Sequence, residues 1–565
     1  MPFPSDLEIA NHAVLEPIAD IAQQLHIPES SIVQYGKHIA KVSLSALHDL
    51  AERPRGKYIV VTAITPTPLG EGKTTTAVGI GQAMKHIGKN AVLTLRQPSL
   101  GPTFGIKGGA AGGGYSQVVP MEALNLHLTG DFHAVTAAHN MLAALVDNHV
   151  FQGNEQQLDL GLITWRRALD INDRSLRNIR VGLGGEKNGV PRDSGFDITA
   201  ASEVMALLSL ASSYDDLRAR LGRIVVGYRS DDSPVTAGDV NAVGAMAVLL
   251  RDALKPNLMQ TLENTPAFIH TGPFGNIATG NSSVIADRMA IHAADYVITE
   301  AGFGADMGAE RFFNIKCRVS GLLPDAAVLV VTVRALKAHS GRYRIVAGKP
   351  LPPELLEENI DDVRAGAANL LKQIENVRIH GVSPVVAINA FPQDFASEHA
   401  VICEIAESAG AKVAVSTHFT DGGRGAVDLA RAVVEACEEA SSFSFLYPDD
   451  MSLRDKVATI ATKIYGASDV SYSDEANEKL KLYESLGYGN LPVCIAKTHL
   501  SISADPKLLG APTGHTLHVR DARASIGAGF IYLICGDITT MPGLGAHPNA
   551  FNMDIDSDGN ITGLA

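Results

Sequence analysis

The chain is poor in the residues that stiffen or staple small proteins. It has five cysteines in 565 residues. Cys317, Cys403, Cys437, Cys494 and Cys535 are scattered and form no CxxC pair, which argues against a disulfide framework and against a zinc ribbon. Charged residues make up only 19%, below the usual ~25%, so a disordered, self-repelling chain is excluded. Lys plus Arg number 47 against 61 Asp plus Glu, a balance of −14 that repels nucleic acid and anionic membranes. No apolar run approaches the ~18 residues of a membrane span, and Met1 to Glu8 lacks the basic and apolar parts of a secretory leader. A reducing, cytoplasmic setting is expected, with neither nucleic acid nor membrane as partner. Aromatics are scarce too, at 5% with Trp165 as the one tryptophan, so any flat ligand has few rings to stack on.

What is abundant is aliphatic material and glycine. Hydrophobic residues reach 46%, enough for large buried cores, and the 53 glycines gather in short clusters rather than in a linker. Residues 4–50 have near-helical spacing and predict helices ahead of the first strand. Short aliphatic runs then follow at 58–64, 91–95, 224–228, 266–270, 296–299, 327–333, 385–388 and 413–415, alternating with helix-length segments such as 74–86 and 358–376. That alternation predicts an α/β fold with a mostly parallel, P-loop-NTPase-like sheet flanked by helices, plus further α/β domains. The expected division is an N-terminal helical and nucleotide-binding region 1–130, an inserted α/β region 131–240, a continuation of the nucleotide-binding domain 241–375, and a C-terminal α/β region 376–565.

The first predicted strand runs into Thr65, Pro66, Thr67, Pro68, Leu69, Gly70, Glu71, Gly72, Lys73, Thr74 and Thr75, and a helix follows. This strand, glycine loop, helix order is what a phosphate site needs. Glycines 70 and 72 allow backbone amides to approach phosphate oxygens, Lys73 neutralises the β/γ charge, and the Thr74 hydroxyl is a candidate Mg²⁺ ligand. Thr67 stands where the usual motif has its first glycine, so the loop is a variant. A second cluster, 95–115, places Arg96 at the carboxyl end of the next strand, where open α/β sheets bind ligands. Its guanidinium can grip a second anion, and glycines 108 to 114 permit close backbone approach.

Together the phosphate loop and this second cluster resemble formate–tetrahydrofolate ligase. Further matching segments are 121–131, 194–203, 255–262, 300–306, 491–497 and 536–543, so the likeness spans about residues 50 to 565. The resemblance implies condensation of formate, ATP and tetrahydrofolate into 10-formyltetrahydrofolate, ADP and phosphate through formyl phosphate. It also implies Mg²⁺, activation by a monovalent cation (K⁺ or NH₄⁺), a homotetramer, and a folate that can carry a polyglutamate tail.

The chemistry assigns parts. Lys73 and Arg96 hold two anions together for in-line transfer, and a proton acceptor is needed once N10 has attacked. Asp131, His127 and His133 lie nearest the glycine cluster, and the sequence does not choose among them; the catalytic set is Lys73, Arg96 and Asp131, with either histidine as the alternative acceptor. By resemblance Phe391, in the segment 388–394, stacks on the pterin and Phe419, in 416–425, forms the opposite wall, although the family commonly has tryptophan at the latter position. The segment 277–283 and Ala390 depart from the family's more frequent histidine and cysteine and its frequent arginine. Glu300, Asp306 and Glu310 either orient metal-bound water or make structural hydrogen bonds. A switch-type P-loop ATPase is the rival reading, separable by whether ADP release depends on formate and folate.

Overall fold

A computed structural model of the chain describes residues 3–105, 111–345 and 350–564. At its centre lies a twelve-stranded sheet. Its strands are β1 (Ile32–Gln34), β2 (Ala40–Val42), β3 (Lys57–Ala63), β4 (Ala91–Leu95), β5 (Gly112–Gly113), β6 (Ser116–Val119), β7 (Asn257–Thr261), β8 (Pro266–Ile269), β9 (Tyr296–Glu300), β10 (Ala326–Val331), β11 (Ser383–Asn389) and β12 (Lys412–Ser416). The main path is β1-β2-β7-β8-β4-β9-β3-β10-β11-β12, with the short β5–β6 hairpin joined to β7.

From β8 to β12 every pairing is parallel. Parallel strands covered by helices on both faces must be apolar throughout, and β4, β9 and β10 are buried at every position. This is why aliphatic runs alone located them. The other end of the sheet is antiparallel, and there the sequence reading needs correcting. Residues 4–50 are not all helical: they also supply the β1–β2 hairpin. β7 carries Asn257, Gln260 and Thr261, all buried, so its polar letters hid a strand. The run at 224–228 is a strand, Val225–Tyr228, but it pairs with Pro234–Thr236, outside the main sheet.

The expected boundary at 375/376 falls inside the main sheet, since β11 and β12 extend it. A separate core follows, built from residues 446–535 around Val493–Lys497, Phe530–Cys535 and Asp521–Ser525. Lys497 ties this unit to the centre. Its ammonium meets Asp306 at 2.8 Å with both side chains inaccessible, and Asp306 also accepts from Gln373, which donates to the Thr65 hydroxyl. The start of the phosphate loop is thus anchored by a buried polar chain. Such a chain is costly to leave half-made, which makes its geometry specific. No helix among the described residues is long and apolar enough to cross a membrane.

Candidate active site

The loop after β3 turns at Gly70 (φ 74°) and Gly72 (φ 77°), left-handed conformations that glycine adopts without strain. A Cβ on Gly72 would come within 2.5 Å of Asn389 Nδ2 at the end of β11, and that amide donates to the Glu71 carbonyl at 3.0 Å. Thr67 explains its own departure from glycine. Its backbone N–H and hydroxyl both donate to Glu71 Oε1, at 2.7 and 3.1 Å, and its hydroxyl oxygen accepts from Leu69 N. The loop is therefore closed by a side chain. Thr65 is held by Asn369 and Gln373 of the helix Ile360–Arg378. Pro66 is buried, Pro68 and Gly70 are exposed, and Thr75 is half-buried on the first helical turn.

Lys73 opens the helix Lys73–His86, whose free N–H groups and dipole favour an anion at that end. Its ammonium lies 3.9 Å from Glu71 Oε2. Thr74, one residue on, donates its hydroxyl to Glu300 Oε2 at 2.6 Å. Arg96, just past β4, points Nε at Glu300 Oε1 at 3.3 Å and Nη1 at the Pro273 carbonyl at 3.4 Å. Glu300 ends β9, the strand between β3 and β4, so one buried carboxylate joins the phosphate loop to the arginine. Its side chain is 4% exposed while Arg96 is 27% exposed, which leaves the cation facing outward. Glu300 thereby brings the sequence-predicted Thr74 and Arg96 together, while Lys73, one residue before Thr74, faces Glu71. Of the three flagged acids only Glu300 joins them. Asp306 is spent on Lys497, and Glu310 is buried against Asn314, its carboxyl pushed up to about 7 by burial.

Asp131 was expected as a catalytic residue and proton acceptor. It sits on the same carboxyl edge of the sheet, since Asn257, its partner, pairs with Ile269 and Ile269 with Leu95, a row of two strand spacings or roughly 10 Å. Its carboxylate, however, receives Lys41 Nζ on both oxygens at 2.6 and 2.7 Å, inside a pair almost wholly removed from water. Protonating it would strand a buried ammonium. That environment supports an anchor for β2 and β7 rather than a proton acceptor. His127 and His133 are exposed and hydrogen-bond to each other at 2.8 Å.

Phe391 and Phe419 leave adjacent strands. Asn389 pairs with Ser416, and Ala390 N donates to Ser416 O. Both rings are half-buried. Arg334 lies over Phe391 with Cζ 4.2 Å from the ring centre, and Phe3 stacks on Phe419 at 5.4 Å and 24°. Gly113 would meet the Phe419 ring at 3.2 Å if it carried a Cβ, so part of the predicted glycine cluster does press on this wall; glycines 108 and 109 lie outside the described residues. Sequence reasoning missed Asn389, Thr76 and His418. Each lies within a segment it had singled out, but no spacing rule marks a buried amide, hydroxyl or imidazole.

As for Mg²⁺, the Thr74 hydroxyl beside the Glu300 carboxylate is a hard-oxygen donor set of the kind this ion takes. Among the described residues no group of three or more His, Cys, Asp or Glu could hold a metal alone, so substrate phosphate and water would have to complete such a site.

Residues 4–565 match the family model described as formate–tetrahydrofolate ligase. A protein of that name from Saccharopolyspora erythraea is 66% identical, with all of both chains covered. Formate–tetrahydrofolate ligase 1 of Rubrobacter xylanophilus is 64% identical over 99% of each chain. A namesake from Cutibacterium acnes is 62% identical over 99% of this chain and all of its own. On that full-length likeness, the chain belongs to the formate–tetrahydrofolate ligase family.

Proposed function

We propose that the protein joins formate to tetrahydrofolate at the expense of ATP, giving 10-formyltetrahydrofolate, ADP and phosphate. The observation that carries the reading is the Glu300 carboxylate shared by Thr74 and Arg96, with Lys73 next to Thr74 at the start of the same helix, in a chain whose full-length relatives bear the ligase name. Formate is a poor acylating agent because its carboxylate repels nucleophiles. In the first step a formate oxygen bonds to the γ-phosphorus, the bond to the β-phosphate oxygen breaks, and ADP departs. Lys73 and the loop amides neutralise the phosphates while Arg96 holds the carboxylate in line. Mg²⁺, held through Thr74 and oriented by Glu300, would supply charge neutralisation at the phosphates.

Formyl phosphate is the intermediate; in the second step N10 bonds to its formyl carbon, the carbon–oxygen bond to phosphate breaks, and the departing phosphate takes up the N10 proton and leaves as hydrogen phosphate. Phe391 and Phe419 flank the pterin, where stacking contributes ~1 to 3 kcal/mol per ring by analogy with nucleobases. Asp131 serves through Lys41 and Asn257 as an anchor of the sheet edge beside Arg96. Activation by K⁺ or NH₄⁺, a homotetramer, acceptance of polyglutamylated folate and a cytoplasmic setting are part of the same reading, supported by the family resemblance alone.

The test is ADP release by the purified protein. It should require both formate and tetrahydrofolate and vanish in Lys73→Ala, with 10-formyltetrahydrofolate accumulating in step. Hydrolysis indifferent to the two small molecules would instead mark a nucleotide-driven switch.

A further inference from the structure

The helix that presents Lys73 and the segment that presents Phe419 are joined by a buried imidazole outside the reacting groups described above. His418 is fully buried. Its Nε2 meets Thr76 Oγ1 at 3.2 Å, its Nδ1 meets Ser416 Oγ at 2.8 Å, and Thr76 Oγ1 lies 2.9 Å from the Gly72 carbonyl. Both ring nitrogens are thus committed, one toward the phosphate helix and one toward the end of β12. Burial pushes the imidazole down to about 4, so it is neutral at physiological pH.

The surrounding contacts allow little play. A Cβ on Gly79 would fall 2.6 Å from His418 Cβ, so the helix approaches the histidine at the one residue type that lets it. Ser116 Oγ donates to the His418 carbonyl, and Tyr115 N donates to the Phe419 carbonyl, each at 2.8 Å. The backbone of 418–419 is therefore clamped between the phosphate helix on one side and the glycine cluster on the other.

We propose that His418 is a positioning residue which, through Thr76 and Ser416, holds the phosphate-binding helix and the Phe419 wall in one register, so that the acyl phosphate and the folate nitrogen are aligned for formyl transfer. This rests on the proposed roles of Lys73 and Phe419. The two substrates dock on different elements, and the bond across Thr76 and His418 ties those elements together. Misplacement by ~1 Å between reacting groups costs about 10²-fold in rate, which is the scale at stake.

The experiment is steady-state kinetics of the whole protein with thermal midpoints measured alongside. Thr76→Val keeps the shape and removes the hydroxyl; kcat should fall about 10- to 100-fold with the KM for ATP within about twofold. Thr76→Ser restores the hydroxyl and should restore kcat. His418→Gln should show a like loss, and the double variant Thr76→Val/His418→Gln should lose little more than either alone, because both remove the same link. Full kcat in a folded Thr76→Val, a loss confined to the KM for ATP, or additive losses would each overturn the proposal. If Thr76→Val does not fold, His418→Gln alone decides, on the same kcat against KM criterion. Phe419→Ala run in parallel separates two failures. An unchanged folate KM there sinks the folate wall itself, whereas a raised folate KM beside full kcat in Thr76→Val sinks only the link.

Discussion

Thr74 donates its hydroxyl to Glu300 at 2.6 Å, across the gap between the phosphate loop and the end of β9. Because the other oxygen of the same carboxylate meets Arg96, Glu300 sets where the Thr74 hydroxyl and the Arg96 guanidinium stand relative to one another. Glu300→Gln keeps the shape but removes the charge that attracts Arg96. The expected outcome is a fall in kcat of about 10²-fold with the fold intact, on the scale of a small misalignment of reacting groups. Full turnover in that variant would leave the carboxylate with no role in the site.

The Phe419 wall gives a prediction on the other substrate. On the proposed folate role, Phe419→Ala removes one stacking surface worth ~1 to 3 kcal/mol, so the folate KM should rise about tenfold or more while the KM for ATP stays put. Phe419→Trp, which enlarges the ring, should lower the folate KM if the pocket accepts it. A stability loss with unchanged folate KM would make the ring a packing residue of the Phe3 and Tyr115 cluster.

For Asp131 the expected signature is stability, not rate. Asp131→Ala leaves the Lys41 ammonium buried without its partner, which costs about 3 to 5 kcal/mol. The thermal midpoint should drop while the folded fraction keeps its kcat. A protein with unchanged midpoint and lost turnover would return Asp131 to the list of proton acceptors.

These residues also mark how far the sequence could be read. The parallel half of the sheet was legible because strands buried on both faces are written in aliphatic letters. β7 was not, because Asn257 and Gln260 satisfy their polar atoms through tertiary partners that no local pattern reveals. The phosphate loop was legible because its chemistry depends on chain-local order: two glycines, a lysine and a threonine on one turn. The surroundings of Asp131 were hidden for the opposite reason. Its partner Lys41 is 90 residues away, and proximity in sequence to the glycine cluster said nothing of an ion pair made across the sheet. Nothing local in the segment 416–425 marks His418, because its partner Thr76 lies 342 residues away.

Glu310 offers a test by pH. Burial raises its carboxyl from 4.5 to about 7 in the folded protein, while the unfolded chain has the ordinary value. Below pH ~4.5 both states hold the proton, and the group adds no pH dependence there. Between ~4.5 and ~7 the unfolded chain releases the proton and the folded one keeps it, so stability falls as pH rises, by about 1.4 kcal/mol per pH unit. Glu310→Gln has no such proton. Its thermal midpoint relative to the unmodified protein should therefore climb steadily from pH 4.5 to 7 and level off above, whatever constant offset the new amide introduces. A difference that stays flat over that window would mean that the carboxyl is not held protonated, and that Arg311 next to it in the chain carries more of its charge than burial takes away.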